Sequence, residues 1–504
     1  MKKAVSFRTT YDSHYLFSPF RNQVLFCHPL IHFFRDIDLQ GIALNDLVKA
    51  KRKKGYTTIP GYGRYPDTEI RYQLRKYKFL KKNLFFKIPK PIRLGGRIPP
   101  AKARENIATI RQVIFETTED CNLSCTYCTY SKYYINKQRG KRNFDPVAAR
   151  AFLDYILSVR TKKEKKLIIS FYGGEPLKNI AFIRGIVDYL KSRYQGIWDF
   201  RYTMSTNGLL LSKYAEFLVN NNFDISVSLD GNEESNSFRL LHNEQNSFPV
   251  IVKNLDHIRK NYPDYFESNV SFLTVLHRRN SFREVHEFFK ERYGKPTLTS
   301  LINTQNVNRD HIDEFRDTFL GAEEEASYER SFMLELFLSH PRVKEFATIT
   351  ENYAGIVFKN HLQVLSRING DAGTKEFIPT ATCQPFGTRV YLTADGSVIP
   401  CEHISREHEM GTFKGDSLNI NFDEVVIPFN RGYDKIETLC ATCFIAENCK
   451  ECLFNTRIGE EHPVCDYYLD EKGFGQYLAR NYSMMEEQAA IYLEILKRGY
   501  DENT

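Results

Sequence analysis

No run of about 18 or more apolar residues occurs in this chain, so none of it reads as a membrane-spanning helix. The N-terminus, MKKAVSFRTTYDSHY, lacks the apolar core of a secretory signal. Together these absences predict a cytoplasmic protein, and structural disulfides are rare in that reducing compartment. Internal repeats and low-complexity tracts are also missing, so the chain is not a repeat array. What remains is ordinary globular material: 504 residues, 42% apolar and 26% charged, enough for two or three domains with cores of their own.

Eleven cysteines in such a compartment point to metals rather than cross-links. Three lie at 121–128 and seven at 383–465. Cys27 stands alone and reads as a small buried hydrophobe. Charge is as uneven as cysteine. Residues 1–105 hold 23 Lys/Arg against 7 Asp/Glu, a net of +16, and the remainder is net −8. A segment so basic invites an anionic partner.

Residues 14–38 read as a hairpin turning at Arg21-Asn22, followed by helical patterns at 43–54 and 68–84. The Pro- and Gly-rich stretch KIPKPIRLGGRIPPAK (87–102) reads as a linker. From about 110 the rhythm becomes strand, loop, helix. Apolar runs at 112–116, 167–172, 200–204, 224–229, 269–275 and 297–302 alternate with helix-length segments at 145–160, 178–194, 211–221, 247–260 and 282–291. Six such units predict a parallel α/β sheet or barrel, whose working residues sit on loops after the strands. Residues 310–370 read as charged helix, the second cysteine group as short strands and turns, and 474–498 as a closing amphipathic helix.

The loop after the first strand of that series reads CNLSCTYCTY (121–130). Cys121, Cys125 and Cys128 are too few for a tetrahedral zinc site, with no histidine in the loop and the next cysteine at 383. A [4Fe–4S] cluster also takes four cysteines as a rule, so three would leave one iron open. This Cys-x3-Cys-x2-Cys pattern resembles the signature of the radical S-adenosylmethionine (SAM) superfamily, in which SAM fills the open iron position. Three further segments resemble that family in order: FYGGEP (171–176), STNG (205–208), and SVSLDG (226–231) with SFRLLHN (237–243). The resemblance implies a partial (β/α)6 barrel over 106–310 and a SAM-binding [4Fe–4S] cluster. It further implies that Gly173, Gly174 and Glu175 meet the SAM amino end, that Ser205 and Asn207 form a polar turn beside it, that Ser228 contacts the ribose and Arg239 the carboxylate, and that Tyr127 lies near adenine.

The C-terminal cysteines read Cys383, Cys401, then Cys440-x2-Cys443-x5-Cys449-x2-Cys452, then Cys465. Zinc-ribbon pairs are usually separated by about 15–20 residues, and here five intervene. The layout resembles the SPASM domain, a seven-cysteine extension of radical SAM enzymes holding two auxiliary [4Fe–4S] clusters. By that resemblance Cys383, Cys401 and Cys452 ligate one cluster, and Cys440, Cys443, Cys449 and Cys465 the other. Only Lys450 and Glu451 separate Cys449 from Cys452, where the family has three residues. No cysteine in TKEFIPTAT (374–382) supplies the first cluster's fourth ligand. Glu402 matches the position of the proposed base in sulfatase-maturing relatives.

The full expectation is an α/β protein with five parts: a small N-terminal α+β recognition domain (1–105), the barrel (106–310), a helical bridge (311–375), the SPASM domain (376–470) and a C-terminal helix (471–504). The leading expected activity is maturation of a ribosomally made precursor peptide through a thioether, ether or carbon–carbon crosslink. Its leader would bind the N-terminal domain as an added strand, and a flavodoxin or ferredoxin would supply electrons. The alternative is formylglycine formation on a protein Cys or Ser. RNA modification is disfavoured by the cysteine-rich region, despite the basic segment.

Overall fold

The computed structural model describes the chain except residues 1, 43, 45–54, 90–93, 136–139, 162–164, 304–306, 320–381, 403, 405–407, 447–448, 450, 456–462, 466, 488 and 490–504. The helical pattern at 43–54, the bridge beyond 319 and the segment 374–381 thus lie outside the described residues. Two compact units emerge: one of Met1–Gly96, Arg342–Ala381 and Tyr433–Thr504, the other of Arg97–Pro341 and Thr382–Gly432.

In the first unit, strands β1 (Val5–Arg8), β2 (His14–Ser18) and β3 (Gln23–Phe26) form an antiparallel sheet in that order. The expected hairpin is therefore a β2–β3 pair with Ser18 opposite Gln23, plus an unexpected β1. Residues 29–38 are helical, not extended. Pro29 sits in the first turn of helix α1 (Pro29–Leu39), where it has no hydrogen bond to lose, and His28 Nδ1 accepts from the Leu30 amide. A second hairpin, β4 (Tyr56–Ile59) with β5 (Gly63–Pro66), leads into helix α2 (Asp67–Lys82). Leu16, Leu30, Phe34, Leu74, Tyr77 and Phe85 form the core between this sheet and these helices. The C-terminal helix Glu471–Glu487 brings Phe474, Leu478 and Tyr482 onto Val5, Phe7, Tyr15 and Phe17.

Cys27 is half-buried and its Sγ lies 3.2 Å from His32 Nε2. Burial, with His14 and Arg35 alongside, pushes His32 down to about 4 from 6.5. The folded chain keeps this imidazole neutral while the unfolded chain protonates it, so His32 should cost stability progressively as pH falls from 6.5 towards 4. Urea unfolding across that range should show a shallower pH dependence in His32→Leu, and an unchanged slope would refute the assignment.

The second unit carries the expected barrel. Strands β6 (Gln112–Thr118), β7 (Lys166–Gly173), β8 (Asp199–Thr206), β9 (Asp224–Ser228), β10 (Val270–Leu276) and β11 (Leu298–Leu301) are parallel and adjacent in sequence order. Successive side chains alternate between faces. Phe115, Phe171 and Phe272 point to the helix-covered face, where Phe182 and Phe289 meet them at 5.7, 6.4 and 4.6 Å between ring centroids. Burying each such ring stabilises by about 1.5–3 kcal/mol. The opposite face mixes a small apolar cluster of Ile114, Tyr391 and Ile399 with polar pairs: Gln112 Nε2 donates to Ser170 Oγ (2.7 Å), Ser170 bonds Thr203 (2.6 Å), and Ser226 bonds Ser271 (3.0 Å).

The cysteine-rich region adds strands to this sheet. β12 (Arg389–Leu392) runs parallel to β6, and β13 (Ser397–Ile399), β14 (Gly411–Lys414) and β15 (Ser417–Asn419) follow antiparallel. The stretch read as a linker ends in a helix, Pro100–Ala108, and a 21-residue helix, Phe422–Thr442, stands where only strands and turns were expected.

Candidate active site at the strand ends of the barrel

The cysteine loop leaves β6 after Thr118 and is tied down along its length. Ser124 N donates to Leu240 O (2.7 Å) and Thr126 N to Phe238 O (3.0 Å). His242 clamps the same loop, with Nε2 3.0 Å from the Cys121 carbonyl and Nδ1 2.8 Å from Ser124 Oγ. A carbonyl only accepts, so Nε2 carries the proton and Nδ1 accepts from the hydroxyl. None of the three cysteines is in a disulfide; Cys121 is buried and the others half-buried. Burial pushes Cys125 up to about 12; Arg239 pulls it down and the neighbouring Cys128 and Cys121 push it further up. A cluster takes its cysteine ligands as thiolates, so binding one here would displace the protons that burial favours.

Gly173 and Gly174 pack against the root of this loop. Gly173 has φ +123°, and a Cβ there would lie 2.3 Å from the Thr118 carbonyl; at Gly174 it would lie 2.2 Å from that of Asp120. The next residue, Glu175, is fully buried. Its carboxylate accepts from Thr206 Oγ1 (2.8 Å), Asn207 N (2.8 Å) and Leu177 N (3.0 Å), joining FYGGEP to STNG. Burial raises the carboxyl of Glu175 while these donors pull it back. The Asn207 amide reaches Asn122 Oδ1 at 2.8 Å and Cys121 Sγ at 3.7 Å. Ser205 and Ser228 are half-buried at the ends of β8 and β9.

Asp230, just beyond β9, gathers more partners than any residue singled out from the sequence. Its carboxylate accepts from Arg239 Nε and Nη2 (3.0 Å each), the Val275 amide (3.0 Å) and the Tyr127 hydroxyl, with His277 Nε2 at 3.6 Å. Burial alone would raise Asp230, but Arg239 holds it down at about 2. The Tyr127 ring lies 5.5 Å from the Arg239 guanidinium carbon and packs edge-on to Phe238 and Phe319.

On the face away from the helices, beside the loop, Tyr130 donates to Glu116 Oε1 (3.0 Å), and the Tyr172 and Tyr391 rings meet at 6.2 Å. Glu402 pairs with Arg389 at 3.4 Å. Burial pushes Tyr172 up to about 12, with Glu402 and then Cys128 adding to it, so Tyr172 has both groups as neighbours. Neither Asp230 nor His242 was assigned a role from sequence, although both stand inside the quoted SVSLDG and SFRLLHN. Glu116 offered one signal, the one charged residue of its strand, directly after Val113-Ile114-Phe115.

In the other unit, burial pushes Cys440 up to about 12, and Cys443, Cys449 and Cys465 push it further the same way. Cys452 is half-buried in the same unit, whereas Cys383 (exposed) and Cys401 (half-buried) belong to the barrel unit. Among the described residues no three His, Cys, Asp or Glu side chains already converge as a metal-binding group. Also among them, no helix is long and apolar enough to cross a membrane.

A parallel α/β partial barrel with three cysteines on its first strand-end loop defines the class: residues 115–291 match the Radical SAM superfamily, and the chain carries a radical SAM domain. Its C-terminal extension resembles that of anaerobic sulfatase-maturating and SPASM-type enzymes. A cysteine-type anaerobic sulfatase-maturating enzyme of Clostridium novyi is 28% identical over 36% of this chain and 49% of its own length. A radical SAM cyclopropyl synthase of Paramaledivibacter caminithermalis is 27% identical over 36% of this chain and 38% of its own. A serine-type anaerobic sulfatase-maturating enzyme of Bacteroides thetaiotaomicron is 22% identical over 75% of this chain and 89% of its own. The chain thus spans half or less of the length of the first two relatives.

Proposed function

We propose that the chain is a radical SAM oxidoreductase acting on a protein or peptide, and that its reaction is of the sulfatase-maturating kind, turning a Cys or Ser side chain into formylglycine. What supports this is Glu402: it follows Cys401 directly, pairs with Arg389, and shares Tyr172 as a neighbour with Cys128. The long alignment with the serine-type relative supports it further. The donor set fits the cofactors, with three cysteines outside any disulfide on one tight loop that bonds to the carbonyls flanking Arg239. When bound, cluster and SAM supply a 5′-deoxyadenosyl radical that takes one hydrogen atom from the substrate β-carbon, and the auxiliary clusters an acceptor for the electron that follows.

The chain's own part is the proton. Loss of one hydrogen atom, one electron and one proton converts R–CH2–OH to R–CHO, and a Glu402 oxygen takes that proton from the hydroxyl. From cysteine the same losses leave a thioaldehyde, which water converts to the aldehyde with release of hydrogen sulfide. Glu402→Gln should lower aldehyde formation on a Cys- or Ser-containing sulfatase peptide by about 10²–10⁴-fold while SAM is still cleaved to 5′-deoxyadenosine. Full aldehyde formation in the variant would remove Glu402 as the base.

A second reading, crosslinking of a precursor peptide, is favoured by β3. Among the described residues this strand bonds only to β2, and its Phe26 is 72% exposed, an edge open to an added strand. Residues 1–105 cannot simply be cut away to test this, because β1 and β2 share a core with the helix Glu471–Glu487. Phe26→Asp is the cleaner probe: it should weaken binding of an acidic leader about tenfold at low salt and leave SAM cleavage unchanged. Equal leader binding by wild type and variant would sink this reading.

A further inference from the structure

Arg239 is 8% exposed and has an unusual division of labour. A guanidinium has five N–H donors in a rigid fork. Two of them, on Nε and Nη2, go to the two oxygens of Asp230 in a bidentate pair. Among the described residues no hydrogen bond engages Nη1, and the carbonyls on either side of Arg239, Phe238 and Leu240, accept from Thr126 N (3.0 Å) and Ser124 N (2.7 Å) of the cysteine loop. Asp230 has little freedom to turn. The Val275 amide, the Tyr127 hydroxyl and His277 hold its carboxylate, its amide donates to Asn236 Oδ1 (3.3 Å), and its carbonyl accepts from Asn280 Nδ2 (3.1 Å).

We infer that Asp230 is a positioning residue for SAM: it commits one edge of the Arg239 guanidinium to the protein, leaving the Nη1 edge for the α-carboxylate of the ligand. This rests on the SAM-binding reading above. It also accounts for the use of arginine here, since a lysine ammonium cannot hold an aspartate bidentately and keep a second directed edge. Tyr127 and His277 then act through Asp230, coupling the cysteine loop and the end of β10 to the same guanidinium.

The test is binding, on iron-reconstituted protein, of two probes: SAM and decarboxylated SAM, which lacks the group Arg239 would hold. Asp230→Asn should weaken SAM about tenfold or more, the size of a misdirected charge-assisted hydrogen bond, and leave decarboxylated SAM nearly unchanged. Because the single variant leaves Arg239 buried without its counter-charge and risks misfolding, Asp230→Asn/Arg239→Gln serves as the second variant. It should show the same loss for SAM as Arg239→Gln alone, since the two residues act as one unit. An equal loss for both probes would make Asp230 a purely structural residue and overturn the inference. Wild type that binds neither probe would instead overturn the SAM reading itself.

Discussion

Gly174→Ala is expected to cost about 3 kcal/mol or more of stability and to lower the iron the protein retains, because the substitution strikes the root of the cysteine loop. The new Cβ would stand 2.2 Å from the Asp120 carbonyl oxygen, 2.6 Å from its carbon and 2.7 Å from the Glu119 oxygen. All three are backbone atoms, so no side chain can swing aside. The two segments are also fastened together: Gly174 N donates to Thr118 O at 2.8 Å and Glu175 N to Asp120 O at 2.9 Å. Relief requires the end of β7 to separate from the loop carrying Cys121, at the loss of those bonds. Gly185→Ala is the control. It lies in the helix Ile180–Tyr194 with nothing within 4 Å of its would-be Cβ, so alanine there should stabilise by about 0.5–1 kcal/mol. Melting temperatures of the two variants should move in opposite directions, with iron content falling only in Gly174→Ala; a Gly174→Ala protein with wild-type melting and iron would refute this account.

Glu175→Ala should be comparably severe, for a different reason. It leaves the Thr206 hydroxyl and the Asn207 and Leu177 amides without their buried acceptor, and each stranded donor costs about 1–3 kcal/mol. The turn around Asn207 would loosen with it, and with that turn the contact of Asn207 to Asn122 in the cysteine loop. Glu175→Gln keeps one acceptor oxygen but turns an amide donor towards other donors, so an intermediate loss is expected. Hydrogen exchange at the Asn207 amide reads this directly: protection should fall in the order wild type, Gln, Ala. Uniform protection across the three would mean that the carboxylate does not hold the turn.

The two glycines and the glutamate also mark where reading the sequence fell short. FYGGEP was legible as a motif, and its position after the second barrel strand was right. Its role was read only towards a ligand; the structure adds that the Glu175 side chain holds the STNG turn and that the glycines pack on the backbone of 118–120. Nothing local announces this, because these partners lie 31–56 positions away along the chain. The six barrel strands were legible because a strand buried on one face and partly polar on the other leaves a short-range pattern. Residues 29–38 were misread as strand because an apolar run after a hairpin does not distinguish the two; Pro29 at a helix start settles it only once the helix is seen.

Local spacing carried the chemistry: three thiols within eight residues cannot be spread through a core, and their position after a strand follows from hydrophobic periodicity alone. The ordered sequence of glycine and polar turns identified the radical SAM domain for the same reason, each being a short motif at a strand end. Tertiary structure alone decided what those residues lean on. Asp230 collects Tyr127, Arg239, Val275 and His277 from three different strand ends, and β12 joins the cysteine-rich region to β6 as part of one sheet. A buried carboxylate is stabilised by whatever donors the fold brings to it, and a sheet edge by whichever strand pairs with it. Both are set by contacts between residues distant in the chain, for which a linear pattern has no counterpart.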